Sequence, residues 1–197
     1  LRIDAGIADV PAAVTPDGLH STLVRRLSWL ATETRDLLRL ASLLGTSFTL
    51  ADLATVTGRS VLDVASWLRE ASVAGLITGD GDRLAFRHDL IRDAVYASLL
   101  GAERRDLHRA AAQALARAGA PTLQVARQFA RAALPGDASA VEWLVRAADE
   151  TVPISPSAAV ALYEEALALA SDQWTGRATA QARMIEPLAW CGRFDDA

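Results

Sequence analysis

The amino-acid sequence predicts a mainly α-helical fold with one small β-hairpin. From residue 20 onward, apolar residues recur three or four positions apart along most of the chain, which is the spacing of a helix with one buried face. The segment 76–87 differs, because two short runs of strand-forming residues flank the turn sequence Gly-Asp-Gly-Asp. After residue 100 alanine becomes abundant, as in helical hairpins that stack closely.

Residues 19–100 have the element order of a winged helix. A loop-like segment, residues 1–18, contains two prolines and two glycines and is interpreted as a linker. Helices are then predicted from His20, over 35–44, over a short segment ending at Gly58, after Ser60 and, following the hairpin, over 88–100. Helix, short helix, helix and hairpin in this order predict a winged-helix domain.

Short polar residues and glycines mark several of these helix ends. Thr32 or Thr34 is expected to cap the helix that runs to residue 44, and Ser60 is expected to cap the helix that follows it. Gly45 and Gly75 are expected to end helices, because glycine adopts the left-handed backbone of a helix C-terminus without strain.

Every segment beyond residue 100 is predicted to be helical. Residues 101–136 are interpreted as a helical connector with helices over 103–118 and 122–134, and residues 137–197 as the truncated start of a tetratricopeptide-like superhelix with helices over 138–151, 157–171 and 175–191. Residues 157–167 look like the second helix of such a repeat, and residues 192–197 look like the entry to the next such helix. Aligning Ala159 with Ala197 gives a spacing of 38 residues, near the usual period of about 34. We expect the parent protein to continue past residue 197.

Composition excludes several classes of function. All 20 basic residues are arginine, so a phosphate-binding P-loop and Schiff-base chemistry, which both need lysine, are excluded within these residues. The lone Cys191 excludes an intramolecular disulfide, and the three histidines do not have the spacing of metal ligands. The longest run without a charge, 151–163, spans 13 residues and is too short to cross a bilayer. We expect no metal, no catalysis and no membrane contact, and a cytoplasmic location.

The charge distribution does not favour DNA binding by the predicted winged helix. Residues 19–100 contain nine arginines and nine acids, and the candidate recognition helix, 60–74, has a net charge of −1. A protein that reads DNA needs several cations directed at phosphates and bases. An intramolecular regulatory role is therefore favoured, and a stand-alone DNA-binding winged helix with a helical dimerisation tail is the alternative.

Two sequence motifs resemble a known family. Residues 86–96, Phe-Arg-His-Asp-Leu-Ile-Arg-Asp-Ala-Val-Tyr, and residues 103–108, Glu-Arg-Arg-Asp-Leu-His, resemble the MalT-like LuxR-family bacterial transcriptional regulators, which are signal-transducing ATPases. In that family an ATPase module precedes a winged helix, a tetratricopeptide-like superhelix and a C-terminal DNA-binding helix-turn-helix. The resemblance implies that residues 1–18 end the ATPase module and that this chain supplies the two central parts.

The resemblance also implies a nucleotide-sensing residue. The sequence His88-Asp89 is similar to the His-Asp motif of resistance-type and apoptosome-type members of the same ATPase superfamily, in which the histidine contacts the β-phosphate of ADP. His88 would then sense the ADP phosphate in the parent protein, and Asp89 would cap the helix. A helix N-terminus is a suitable place for a phosphate. The alternative is that His88 is a buried polar residue bonded to backbone.

The implied function is regulatory. The fragment would bind no cofactor itself, and the parent would bind ATP or ADP. Its partners would be the upstream ATPase module in cis, an inducer or a regulatory protein on the helical repeats, and DNA through a helix-turn-helix outside this chain. A second alternative places the same central modules in an ATPase-linked nucleotide cyclase.

Overall fold

The computed structural model describes residues 3–4, 7–8, 27, 29–80 and 82–193. It confirms the mainly helical fold and shows a small three-stranded antiparallel sheet that contains the predicted hairpin. The strands are β1 (Ile3–Asp4), β2 (Ile7–Ala8), β3 (Ser47–Thr49), β4 (Ile77–Asp80) and β5 (Arg83–Phe86). The helices are α1 (Thr32–Leu44), α2 (Leu50–Thr57), α3 (Val61–Val73), α4 (Asp89–Ala97), α5 (Gly101–Arg117), α6 (Thr122–Ala132), α7 (Ala138–Thr151), α8 (Pro156–Leu169) and α9 (Arg177–Trp190).

Helices α1 to α4 and the sheet form an N-terminal body, residues 29–99. Its core contains buried leucines, other aliphatic residues and the two phenylalanines Phe48 and Phe86. The centroids of the two phenylalanine rings lie 5.8 Å apart in an edge-to-face arrangement. In the sheet, β5 lies between β3 and β4, and both pairings are antiparallel. The hairpin predicted from the Gly-Asp turn is confirmed.

The sequence does not predict strand β3, because Phe48 also fits the apolar spacing of the short helix that ends at Gly58. The residue instead pairs with Leu84 in β5, and its ring is buried against Phe86. The pairing partner lies 36 residues away in the sequence, so the local pattern carries no sign of it. Helix α2 begins only after Thr49, whose hydroxyl accepts a hydrogen bond from the Asp52 backbone N–H in a capping box.

The expectation that a threonine caps α1 is wrong. Ala31 is the N-cap residue, and it has no side-chain oxygen to offer. The carboxylate of Glu70 in α3 takes this role: it accepts hydrogen bonds from the Ala31 backbone N–H at 3.1 Å and from the Thr34 hydroxyl at 2.5 Å. The expected cap at Ser60 is confirmed, since its hydroxyl accepts from the Asp63 backbone N–H at 3.1 Å.

Helices α5 to α9 form a row in which each helix packs on its neighbours in sequence. Their bounds agree with the predicted ranges to within two residues. Fully buried alanines lie at the contacts, and their small side chains let the helix axes approach closely: Ala111, Ala112, Ala126, Ala140, Ala148, Ala159 and Ala166. The N-terminal body joins this row where Leu44 and Val56 pack against the cluster around Leu115.

Some predictions lie outside the described residues. These are most of the helix expected from His20, most of the linker at 1–18 and the repeat helix expected after residue 193. None of the described helices has both the length and the apolar character that crossing a membrane requires.

Replacing Glu70 with alanine is expected to lower the free energy of unfolding by about 1–2 kcal/mol, because the Ala31 N–H and the buried Thr34 hydroxyl lose a charged acceptor. Arg69→Ala is the matched control, since this adjacent side chain is exposed and should change stability by less than about 0.5 kcal/mol. Urea denaturation followed by circular dichroism measures both. Equal losses in the two variants would show that Glu70 does not stabilise α1.

Candidate functional site

The predicted sensor residue His88 lies at the start of α4, two residues after strand β5 ends. Its backbone is extended, with φ −143° and ψ 142°, and it occupies the N-cap position. The residue is exposed, and its ring makes no hydrogen bond within the described part of the chain. The alternative interpretation, a buried histidine satisfied by backbone, is therefore wrong. The imidazole is open to contact from outside this chain.

Asp89 does not occupy the expected capping position. It is the first helical residue of α4, one position after the N-cap, and its side chain is exposed. At this position a carboxylate acts on the positive end of the helix dipole by its charge. The backbone reason is that the extended conformation ends at His88, so the helix begins one residue earlier than a cap at Asp89 requires.

A second surface, the α3 face, presents apolar side chains to solvent. Leu62 is 82% exposed and Val73 is 86% exposed. With Ser66 and Arg69, which are also exposed, they are spaced to lie along one side of the helix. Arg69 supplies the single positive charge of this face.

The most enclosed polar cluster of the described residues was missed by the sequence analysis. His108, on α5, is fully buried, and its Nδ1 lies 2.7 Å from Oε1 of Gln128 on α6. The Gln128 amide nitrogen donates to the Leu43 backbone carbonyl at 3.1 Å, which leaves its oxygen to accept from the imidazole. On the other side, the Tyr96 hydroxyl lies 3.0 Å from Nε2. This network, which we call the His108 junction, ties α5 and α6 to α1 and α4.

The network is compatible with a neutral His108. With Gln128 accepting from Nδ1–H, a neutral ring leaves the Nε2 lone pair to accept the Tyr96 hydroxyl proton. Burial lowers the pKa of His108 below its ordinary value, and the charges of Arg131, Arg92 and Arg104 act in the same direction, against the hydrogen bond to Gln128. Proton uptake at this site is disfavoured while the junction is closed.

Two arginines enclose the tyrosine of the junction. The guanidinium carbons of Arg92 and Arg104 lie 4.7 and 5.0 Å from the centroid of the Tyr96 ring. Each arginine also donates to a backbone carbonyl at a helix end, Arg92 to Ser42 and Arg104 to Leu99, both at 3.0 Å. Both arginines therefore have a structural role at the junction.

A surface cleft of about 490 Å³ lies between the α5–α6 turn and α7. Trp143 forms one wall, with its ring stacked on Phe129 at 6.2 Å and covered by Arg146, whose guanidinium carbon is 5.2 Å from the ring centroid. The Thr122 hydroxyl donates to the Glu150 carboxylate at 2.9 Å across the cleft. This places Trp143 at the edge of a groove in the helical half.

A separate polar cluster joins helices α7, α8 and α9. Tyr163, almost completely buried on α8, donates its hydroxyl to Asp149 on α7, which also pairs with Arg183 of α9 at 2.5 Å. Burial and the neighbouring carboxylate raise the pKa of Tyr163, so its hydroxyl keeps its proton. The cluster serves to hold three helices together.

No protein-family model matches the chain, and no curated protein is significantly similar to it.

Gln128→Ala is expected to lower the free energy of unfolding by about 2–4 kcal/mol, because the buried His108 N–H and the Leu43 carbonyl both lose their partner. Gln113→Ala, an exposed change on α5, is the control and should be nearly neutral. Chemical denaturation at pH 7.5 measures both. A loss below 1 kcal/mol for the buried variant would contradict the assigned network.

Proposed function

We propose that this chain is the regulatory segment of an ATP-dependent bacterial transcriptional regulator that works in the cytoplasm. Residues 19–100 act as a winged-helix module and residues 137–197 begin a tetratricopeptide-like superhelix. The order α1, β3, α2, α3, β4, β5 is typical of a winged helix and supports the first assignment. The sequential packing of α5 to α9 supports the second.

The main observation behind this proposal is the character of the α3 face. In a winged helix that reads DNA, the helix in this position enters the major groove and directs cations at bases and phosphates. Here the corresponding surface presents Leu62 and Val73, with Arg69 as its cation. Exposed apolar side chains of this size on one helix face favour a protein partner. The upstream ATPase module, tethered in the same polypeptide, is the partner we assign to this face.

The position of His88 supports a nucleotide-dependent contact. Its imidazole is exposed beside the positive N-terminal end of α4, where a phosphate is favoured by the helix dipole and the free backbone N–H groups. In the proposed mechanism the winged helix docks on the ATPase module in the ADP state, and His88 contacts the nucleotide phosphate. An inducer or a partner protein that binds the helical repeats more tightly in the open state shifts the population towards it.

The cleft beside Trp143 supports the sensing part of the proposal. Its volume of about 490 Å³ lies in the range of small-molecule sites, roughly 300–1,000 Å³. An aromatic wall, an arginine and a carboxylate offer both apolar contact and directional hydrogen bonds to an inducer.

In the parent protein, His88→Ala is expected to weaken ADP retention and to raise basal activity, because the closed state loses a phosphate contact. ADP release from the purified parent and reporter transcription without inducer measure the two effects. Asp106→Ala, an exposed change on α5, is the control and should alter neither. Unchanged ADP affinity together with unchanged basal output would refute the sensor role.

The chain itself is expected to bind duplex DNA no more tightly than micromolar, since its α3 face lacks the cations that phosphate contacts need. Fluorescence anisotropy with a labelled duplex between 50 and 200 mM salt (roughly the range over which phosphate contacts are lost) measures this. Sub-micromolar binding with a steep salt slope would instead support the stand-alone DNA-binding alternative.

A further inference from the structure

The His108 junction connects the N-terminal body to the helical row through one imidazole. His108 belongs to α5, Gln128 to α6, Tyr96 to α4 and the Leu43 carbonyl to α1. Four helices from the two halves of the chain therefore depend on the donor and acceptor pattern of a single ring. Histidine is the one side chain whose ordinary pKa lies near neutral pH, so this pattern is open to change by a proton.

We propose that His108 is a proton-operated latch, which holds the N-terminal body against α5 and α6 when the ring is neutral and releases it when the ring is protonated. This inference rests on the junction alone and does not depend on the proposed function. It assigns a regulatory role to a residue whose sequence neighbourhood shows only that it lies in a helix.

The hydrogen bonds of the junction suit the neutral ring, because the Tyr96 hydroxyl then has an acceptor in Nε2. A neutral imidazole has one donor and one acceptor, and Gln128 and Tyr96 use both. Protonation turns Nε2 into a donor that faces the Tyr96 hydroxyl, so the hydroxyl proton must turn away from its present partner. The hydrogen bond between Tyr96 and His108, which joins α4 to α5, must therefore reverse its direction in the buried junction.

The charges around the ring also oppose protonation. Arg92 reaches the junction from α4, Arg104 from α5 and Arg131 from α6, while α1 contributes the uncharged Leu43 carbonyl. The acid next to this group, Asp93, pairs with Arg92 on the exposed side. A cation created at His108 is therefore buried among like charges, and opening the junction to water relieves that repulsion.

The direction of the pH effect follows from linkage. In the closed state the pKa of His108 lies below the 6.5 of a solvated histidine, so the open state takes up the proton first as pH falls. The stabilisation of the closed junction is complete above pH 6.5 and is lost as pH falls towards the folded-state pKa. Mild acid favours the open arrangement.

Small-angle scattering and far-ultraviolet circular dichroism of the full chain between pH 7.5 and 4.5 test the latch. The radius of gyration should rise as pH falls while the helical signal is retained. His108→Gln keeps a neutral donor and acceptor and should abolish the rise, whereas the exposed control His88→Gln should behave like the wild type. An identical rise in His108→Gln, no rise in the wild type, or a rise that coincides with loss of helix would overturn the proposal.

A second pair of variants decides the case if His108→Gln does not fold. Arg131→Gln removes a nearby positive charge from an exposed position and should move the opening midpoint downward by a few tenths of a pH unit, because the closed junction then tolerates the protonated ring better. Arg127→Gln, exposed on the same helix, should leave the midpoint unchanged. Equal midpoints in the two variants would refute the assignment of the titration to His108.

Discussion

Both ends of α1 are stabilised by side chains from other helices, and the rest of the structure is arranged around this constraint. At its N-terminus the Glu70 carboxylate from α3 accepts from the backbone and from Thr34. At its C-terminus the carbonyls of Ser42 and Leu43, which have no partner within the helix, accept from Arg92 on α4 and Gln128 on α6. A helix with its own caps satisfies its terminal backbone groups locally, whereas α1 needs three other helices in place to do so. The N-terminal body and the first helical pair are thereby linked.

The sequence predicts those elements whose formation depends on residues close together in the chain. The five helices after residue 100 and the hairpin around the Gly-Asp turn follow from spacing, and Ser60 caps α3 because its hydroxyl reaches a backbone group three residues away. The same reasoning failed where distant partners decide. Phe48 belongs to a strand because Leu84 pairs with it. Helix α1 begins after Ala31 because the Glu70 carboxylate accepts a hydrogen bond from the Ala31 N–H. No window of local sequence contains either partner.

The candidate sites divide in the same way. The exposure of His88 follows from its place between a strand and a helix, and the sequence pattern placed it there, although it put the cap one residue too late at Asp89. The spacing of His108 predicted only that it has no metal-ligand partner. Its role depends on Tyr96, Gln128 and the end of α1, which meet only after the two halves of the chain have packed together. Buried polar networks of this kind give no periodic signal, since each member occupies an ordinary position in its own helix.

The neighbour-to-neighbour packing of α5 to α9 has a mechanical consequence. Contacts in this half are short-range in sequence, so a pulling force applied along the chain can detach one helix without disturbing the next but one. The N-terminal body cannot yield in this gradual way, because β3 and β5 are hydrogen-bonded across the whole of α2 and α3. Under tension the helical half is expected to unfold helix by helix in small steps, whereas the N-terminal body is expected to unfold at once.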